Sequence, residues 1–180
     1  MTIEVKKDPR LGTETGQRLL DPIDGVHVHD AIHVPYDRGV LTEMYRPDWD
    51  RSAAPVLHVH QVRMFPGTVS AWHLHRQTTD RLVVSLGHFR IVLYDDREGS
   101  PTAGRVNEIF AADCRPVLIV IPPRVWHGIE NLAVTDSLYL NFASQPYDYA
   151  SPDHFRLPAD SARIPYSWTS ETDPTTLRRR

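Results

Sequence analysis

Residues 66–87 read PGTVSAWHLHRQTTDRLVVSLG, and the fold turns on that stretch. Pro66 and Gly67 form a turn signal. In the strand that follows, residues two apart point to the same face, so His73 and His75 project together. Five residues separate Gly67 from His73, four separate His75 from Asp80, and six separate Asp80 from Gly87. Two imidazoles and a carboxylate brought together suit two kinds of chemistry. They hold Mn, Fe, Zn or Ni when the rings are neutral and one position stays open. Alternatively, a lone histidine, with an ordinary pKa of ~6.5, serves as a general base near neutral pH. The plainer alternative is histidines that only fill polar space in a barrel mouth.

Outward from this stretch the chain reads as short strands divided by turn residues. Val26 to Val34, Gly39 to Tyr45 and Val56 to Phe65 precede it. Within and after it come Val69 to His75, Leu82 to Leu86, His88 to Tyr94, Arg105 to Phe110, Val117 to Ile121 and Ser137 to Phe142. Gly87 is read as a hairpin turn. This spacing, almost without helical period, predicts an all-β sandwich or jelly roll enclosing one pocket. Residues 1–20 read as an N-terminal arm, 21–168 as the jelly roll, and 169–180 (TSETDPTTLRRR) as a short polar tail, disordered and with solvated arginines.

Composition narrows the function. The chain has 180 residues, enough for one domain with a working core. Its net charge of −3 and scattered basic residues argue against nucleic-acid binding. Without an apolar run of ~20 residues, no membrane helix is expected. One cysteine, Cys114, excludes an intrachain disulfide, and with no secretory signal pattern the expected setting is the cytoplasm. Ten histidines are many for this length and ask for an explanation. His27-x-His29 and His58-x-His60 are read as structural, since no carboxylate follows at matching spacing. Trp72 and Trp126 each precede a cluster histidine, so they are expected on the opposite face, in a core or interface.

The 66–87 spacing matches the first cupin motif, with Asp80 where that motif has Glu. Pro122, His127 and Asn131 supply the second, with Arg124 where Gly is usual. The resulting expectation is a cupin-type double-stranded β-helix. Further segments resemble the dTDP-4-dehydrorhamnose 3,5-epimerase family. Asp37-Arg38-Gly39 through Glu43 is similar to its early Asp/Glu-Arg-Gly-x-x-x-Glu motif, and residues 99–104 (GSPTAG) to its Gly-Ser-Pro-Thr-Phe-Gly loop. Residues 121–128 (IPPRVWHG) are similar to its Ile-Pro-Pro-Gly-Phe-Ala-His-Gly segment, and 164–168 (IPYSW) to its Ile-Asp-Trp.

The resemblance implies an isomerase that epimerises a dTDP-linked 4-keto-6-deoxy sugar. It implies His73 as base, Asp160 as the carboxylate orienting it, Arg81 as the cation holding the enolate, and Tyr139 as acid. It also implies Tyr147 and His127 at the sugar, Arg38 and Glu43 at the nucleotide, Arg38 from a neighbouring subunit, a homodimer, and no cofactor. Read without the resemblance, Tyr139 suits a core as well as an acid, Arg38 is equally turn chemistry, and Asp160 is a solvated turn residue. Two departures point elsewhere. Ser70 replaces the family's diphosphate-binding arginine, His75 stands where the family has Gln, and the carboxylate Asp80 has no counterpart there. The alternative is therefore a metal-dependent cupin, a dioxygenase or small-molecule isomerase, with His73, His75, Asp80 and His127 holding a divalent Fe, Mn, Ni or Zn. A non-catalytic sugar-binding cupin is the third reading. The first two compete for His73, since a metal-bound nitrogen is not a free base.

Overall fold

The computed structural model describes residues 12–14 and 20–168. The expected tail lies outside these residues, as does most of the expected arm. Twelve strands follow in chain order: β1 (His27–Asp30), β2 (His33–Tyr36), β3 (Gly39–Thr42), β4 (His58–Met64), β5 (Val69–Leu74), β6 (Asp80–Leu86), β7 (His88–Tyr94), β8 (Val106–Ala112), β9 (Val117–Ile121), β10 (Trp126–Asn131), β11 (Ser137–Ala143) and β12 (Phe155–Arg156). Two five-stranded antiparallel sheets face each other, ordered β1-β9-β6-β11-β4 and β12-β5-β10-β7-β8, and β2-β3 forms a separate hairpin. This is the expected all-β jelly roll.

The central strands of each sheet are covered on both faces, which explains their weak polar alternation. Leu82, Val84, Ile91, Leu93, Ile119 and Ile121 point between the sheets into the main core. Their neighbours Val83, Leu118 and Val120 point outward under Met44, Tyr45 and Trp49. On the outer side of the second sheet Trp72, Val92 and Trp126 meet Ile164 and Trp168. Trp72 and Trp126 thus occupy the face opposite their histidines, as the alternation requires.

Several elements differ from the sequence reading. The strand expected over Val26 to Val34 is two strands. β1 pairs with β9, then the chain leaves the sheet at Ala31, and Pro35, which cannot donate a ladder hydrogen bond, sits in the two-stranded hairpin. The strand from Gly39 stops at Thr42 because Met44 and Tyr45 turn in to cover the first sheet. β10 and the two-residue β12 lack a recognisable run. Every residue of β10 is buried, with Glu130 inside because it pairs with Arg90.

Gly87 is not a hairpin turn. β6 and β7 belong to different sheets, so Gly87 is the corner where the chain crosses between them. Its φ is +86°, and an added Cβ would lie 2.0 Å from Ser137 Oγ. Gly67 also has positive φ, +64°, but nothing within 4 Å of an added Cβ. Gly67→Ala is therefore expected to cost about 1 kcal/mol and Gly87→Ala clearly more, about 2–4 kcal/mol, in urea unfolding. Equal losses at the two positions would contradict the corner.

Candidate functional site

Between the sheets, at one end of the roll, lies a cavity of about 700 Å³. Six of the ten histidines line it, His58, His60, His73, His75, His127 and His154, which accounts for their excess. β4 supplies His58 and His60 on the face that also carries Val62 and Met64. That pair is part of the site, contrary to the structural role expected for it. The signal was present in the shared parity with Val62 and Met64.

β5 and β10 pair so that His73 lies opposite His127. The rings of His73 and His75 each stack near those of His127 and His154, with centroids 5.0–5.7 Å apart. His73 Nδ1 is 2.7 Å from His154 Nε2, and His73 Nε2 is 2.9 Å from Ser70 Oγ. The partner of His73 Nδ1 is thus His154, which no spacing rule singled out. Asp160 is exposed and does not line the cavity.

His154 is fixed by its neighbour. Asp153 accepts hydrogen bonds from the backbone N–H groups of Arg76, Gln77 and Thr78 at 2.8–3.0 Å and from the Thr78 hydroxyl at 2.9 Å. Its backbone carbonyl also meets His75 Nδ1. This clamp ties the segment after β11 across the end of β5.

Asp80 is the buried anion of the site, 3% exposed. Its carboxylate meets His75 Nε2 at 3.2 Å and His127 Nε2 at 3.4 Å, and accepts from Asn141 Nδ2 at 2.8 Å. Burial opposes its ionisation, but the hydrogen bond from His75 and the facing imidazoles outweigh it and hold the carboxyl below its usual range. Burial likewise pulls His75 down, and Asp80 outweighs it, so His75 is raised. His73, buried and facing other imidazoles and Arg156, is lowered to about 3. Burial lowers His127 to about 4 despite Asp80. These two rings are neutral at neutral pH, as a base or a ligand requires.

Tyr139 lines the cavity from β11 in the other sheet, facing the wall that carries His73. Burial, then Asp80, pushes its phenol up, so it keeps its proton. Tyr147 lines the mouth, 48% exposed.

Arg81 is not in the cavity. Asp80 and Leu82 face inward, so the residue between them faces out, where its guanidinium is fully buried against Asp50, Ser52 Oγ (3.0 Å) and the carbonyls of Ala54 (2.6 Å) and Phe142 (3.0 Å). It locks the 50–54 loop to the first sheet. Arg38 is at the tip of the β2-β3 hairpin beside Asp37, and Glu43 pairs with Arg46 at 3.3 Å; neither lines this cavity. Of the four expected metal ligands, His75, Asp80 and His127 offer donor atoms within 4.8 Å of one another, and His73 stands outside that group.

The titration directions fix a stability profile. His73 and His127 bind protons more weakly folded than unfolded, so their contribution is lost as pH falls below 6.5 toward their folded values. Raised His75 is protonated in both states below pH 6.5, so its contribution stays constant there and is lost only as pH rises through its folded value. The unfolding free energy is expected to fall by about 1.4 kcal/mol per pH unit for each uncompensated proton between pH 6.5 and 5, and His73→Gln to flatten that slope by about one proton. Urea unfolding across this range checks both; a flat profile for the unmodified chain contradicts the burial of neutral imidazoles.

No family model matches the chain. It is 36% identical over 150 residues to the probable low-salt glycan biosynthesis epimerase Agl13 of Haloferax volcanii, covering 83% of this chain and 96% of that protein. It is 32% identical over 152 residues to the spore coat polysaccharide biosynthesis protein SpsL of Bacillus subtilis, covering 83% and 98%. Among solved structures, a dTDP sugar isomerase from Desulfovibrio desulfuricans superposes with a TM-score of 0.77 at 29% identity, covering 84% of this chain and 96% of that one. With the cupin jelly roll, His73 and Tyr139 on facing walls, and the Ser-Pro-Thr loop, these similarities show that the chain is an enzyme of the dTDP-4-dehydrorhamnose 3,5-epimerase family.

Proposed function

We propose that the enzyme inverts a carbon next to the ketone of a nucleotide-linked 4-keto-6-deoxy sugar, with dTDP as the carrier. The supporting observation is that His73 and Tyr139 stand on opposite walls of one cavity. In the tautomer with hydrogen on Nδ1, His73 donates to His154, and Nε2 keeps a lone pair beside Ser70. That nitrogen takes the proton from the carbon adjacent to the ketone. The bonding pair moves into the ring as the carbonyl oxygen becomes an enolate. Tyr139, protonated, then returns a proton to the same carbon from the other face, and configuration is inverted. The similarity to the Desulfovibrio dTDP sugar isomerase supports the nucleotide.

Arg38 at the hairpin tip, together with exposed Val34, Tyr36, Val40 and Leu41 beside it, suits a homodimer in which the hairpin reaches a neighbouring subunit.

A second reading rests on one observation: the convergence of His75, Asp80 and His127. An ionised carboxylate and two imidazoles suit divalent Mn, Fe, Ni or Zn, and such an ion polarises a carbonyl oxygen. Because His73 is engaged with Ser70 and His154, base and ion would not compete for one nitrogen. The dioxygenase and non-catalytic alternatives have no such observation behind them.

His73→Asn is expected to lower kcat on a nucleotide keto-sugar by about 10²–10⁴-fold. His154→Ala should lower it as well, whereas Asp160→Asn should not; the opposite ranking of the last two would contradict the orienting role of His154. For the metal, elemental analysis should find about one equivalent that Asp80→Asn removes; less than about a tenth after reconstitution contradicts this second reading.

A further inference from the structure

Asp153 accepts four hydrogen bonds from three consecutive residues. One carboxylate oxygen takes the backbone N–H of Arg76 at 2.8 Å. The other takes the N–H groups of Gln77 and Thr78 at 2.9 and 3.0 Å, and the Thr78 hydroxyl at 2.9 Å. Successive backbone N–H groups turned onto one anion form a nest, and bonds to an ionised acceptor are the strong kind. The nest lies in the short link between β5, which ends at Leu74, and β6, which starts at Asp80. Those two strands belong to different sheets and carry His73 and Asp80.

The segment that brings Asp153 there has little else to hold it. Residues 145–152 are exposed, and Asp148 closes only a local turn by accepting from the N–H groups of Ala150 and Ser151. Beyond it, β12 is two residues long. Yet two rings of the site end on this segment. His75 Nδ1 meets the Asp153 carbonyl, and His73 Nδ1 lies 2.7 Å from His154 Nε2. The opposite nitrogens are the ones turned to the cavity side: His73 Nε2 beside Ser70 Oγ at 2.9 Å, His75 Nε2 beside Asp80 at 3.2 Å. The place of residues 153 and 154 therefore decides which nitrogen of each ring does the work.

We propose that Asp153 is a positioning residue for the catalytic base. Its carboxylate acts through its neighbour: by closing the β5–β6 link onto the segment before β12, it holds the His154 ring where that ring accepts the His73 Nδ1 hydrogen. His73 Nε2 then keeps its lone pair toward the sugar. This rests on the epimerase reading above. An unheld imidazole populates both tautomers, and in the other one Nε2 carries hydrogen and takes no proton. Asparagine would serve poorly at 153, because the hydrogens of its amide nitrogen would face backbone N–H donors.

Nitrogen NMR of the histidine rings in the full chain at neutral pH reads the His73 tautomer, the signal being assigned by its loss in His73→Asn. The unmodified chain should carry the hydrogen on Nδ1. Asp153→Ala should mix the two tautomers and lower kcat about 10–100-fold, while KM changes by less than about threefold. Thr78→Val removes one of the four hydrogen bonds and no backbone donor, so it should shift both readings the same way but less. The proposal is overturned if His73 keeps one tautomer in Asp153→Ala or, should that variant not fold, in Thr78→Val. It is also overturned if the unmodified chain carries the hydrogen on Nε2. These readings need no substrate. Mixed tautomers in the variants, with no turnover of nucleotide keto-sugars by the unmodified enzyme, uphold the positioning role and remove the epimerase reading. Turnover by the unmodified enzyme with one tautomer in the variants does the reverse.

Discussion

Neighbouring side chains of a strand leave on opposite faces, and in the central strands of this roll both faces are covered. A shift of one residue would therefore exchange two buried populations rather than a buried and a solvated one. In β5 it would drive Trp72 into the cavity and His73 under Trp168; in β6 it would bring Arg81 inside and put Asp80 against Tyr45. Neither exchange leaves the charges paired. Parity thus fixes the register, and through it the composition of the site.

Buried ionic groups sharpen the same constraint. Asp80 and Arg81 are adjacent and both buried, yet they do not pair with each other, because they point apart. Each has its own partners: imidazoles and an amide for Asp80, Asp50 and backbone carbonyls for Arg81. An unpaired buried charge costs several kcal/mol, so both networks must form completely. Arg81 consequently builds the wall behind the site, and Asp80 raises the His75 imidazole in front of it.

What the sequence made legible follows from this physics. The two-part His, His, Asp and His spacing located the cavity, and its parity put Trp72 and Trp126 outside, because alternation is local and needs no knowledge of the partner strand. The resemblance misplaces Arg81 at the enolate because it ignores that alternation, which gives the inward position to Asp80. His154 was invisible for the opposite reason. It follows β11 in a segment without period, and only the Asp153 clamp on residues 76–78 brings it to His73. Gly87 resembled a hairpin turn because the strands on either side are contiguous in sequence, and sheet membership is a long-range property.

The central claim is that His73 is a neutral base facing a protonated Tyr139 across the substrate. The most direct measurement follows the hydrogen next to the ketone of a dTDP-linked 4-keto-6-deoxy sugar by NMR in deuterated water. The account predicts that the unmodified enzyme replaces that hydrogen with deuterium, that His73→Asn does not, and that Tyr139→Phe still exchanges it without inverting the carbon. Undiminished exchange by His73→Asn, or none by the unmodified enzyme, would contradict the account.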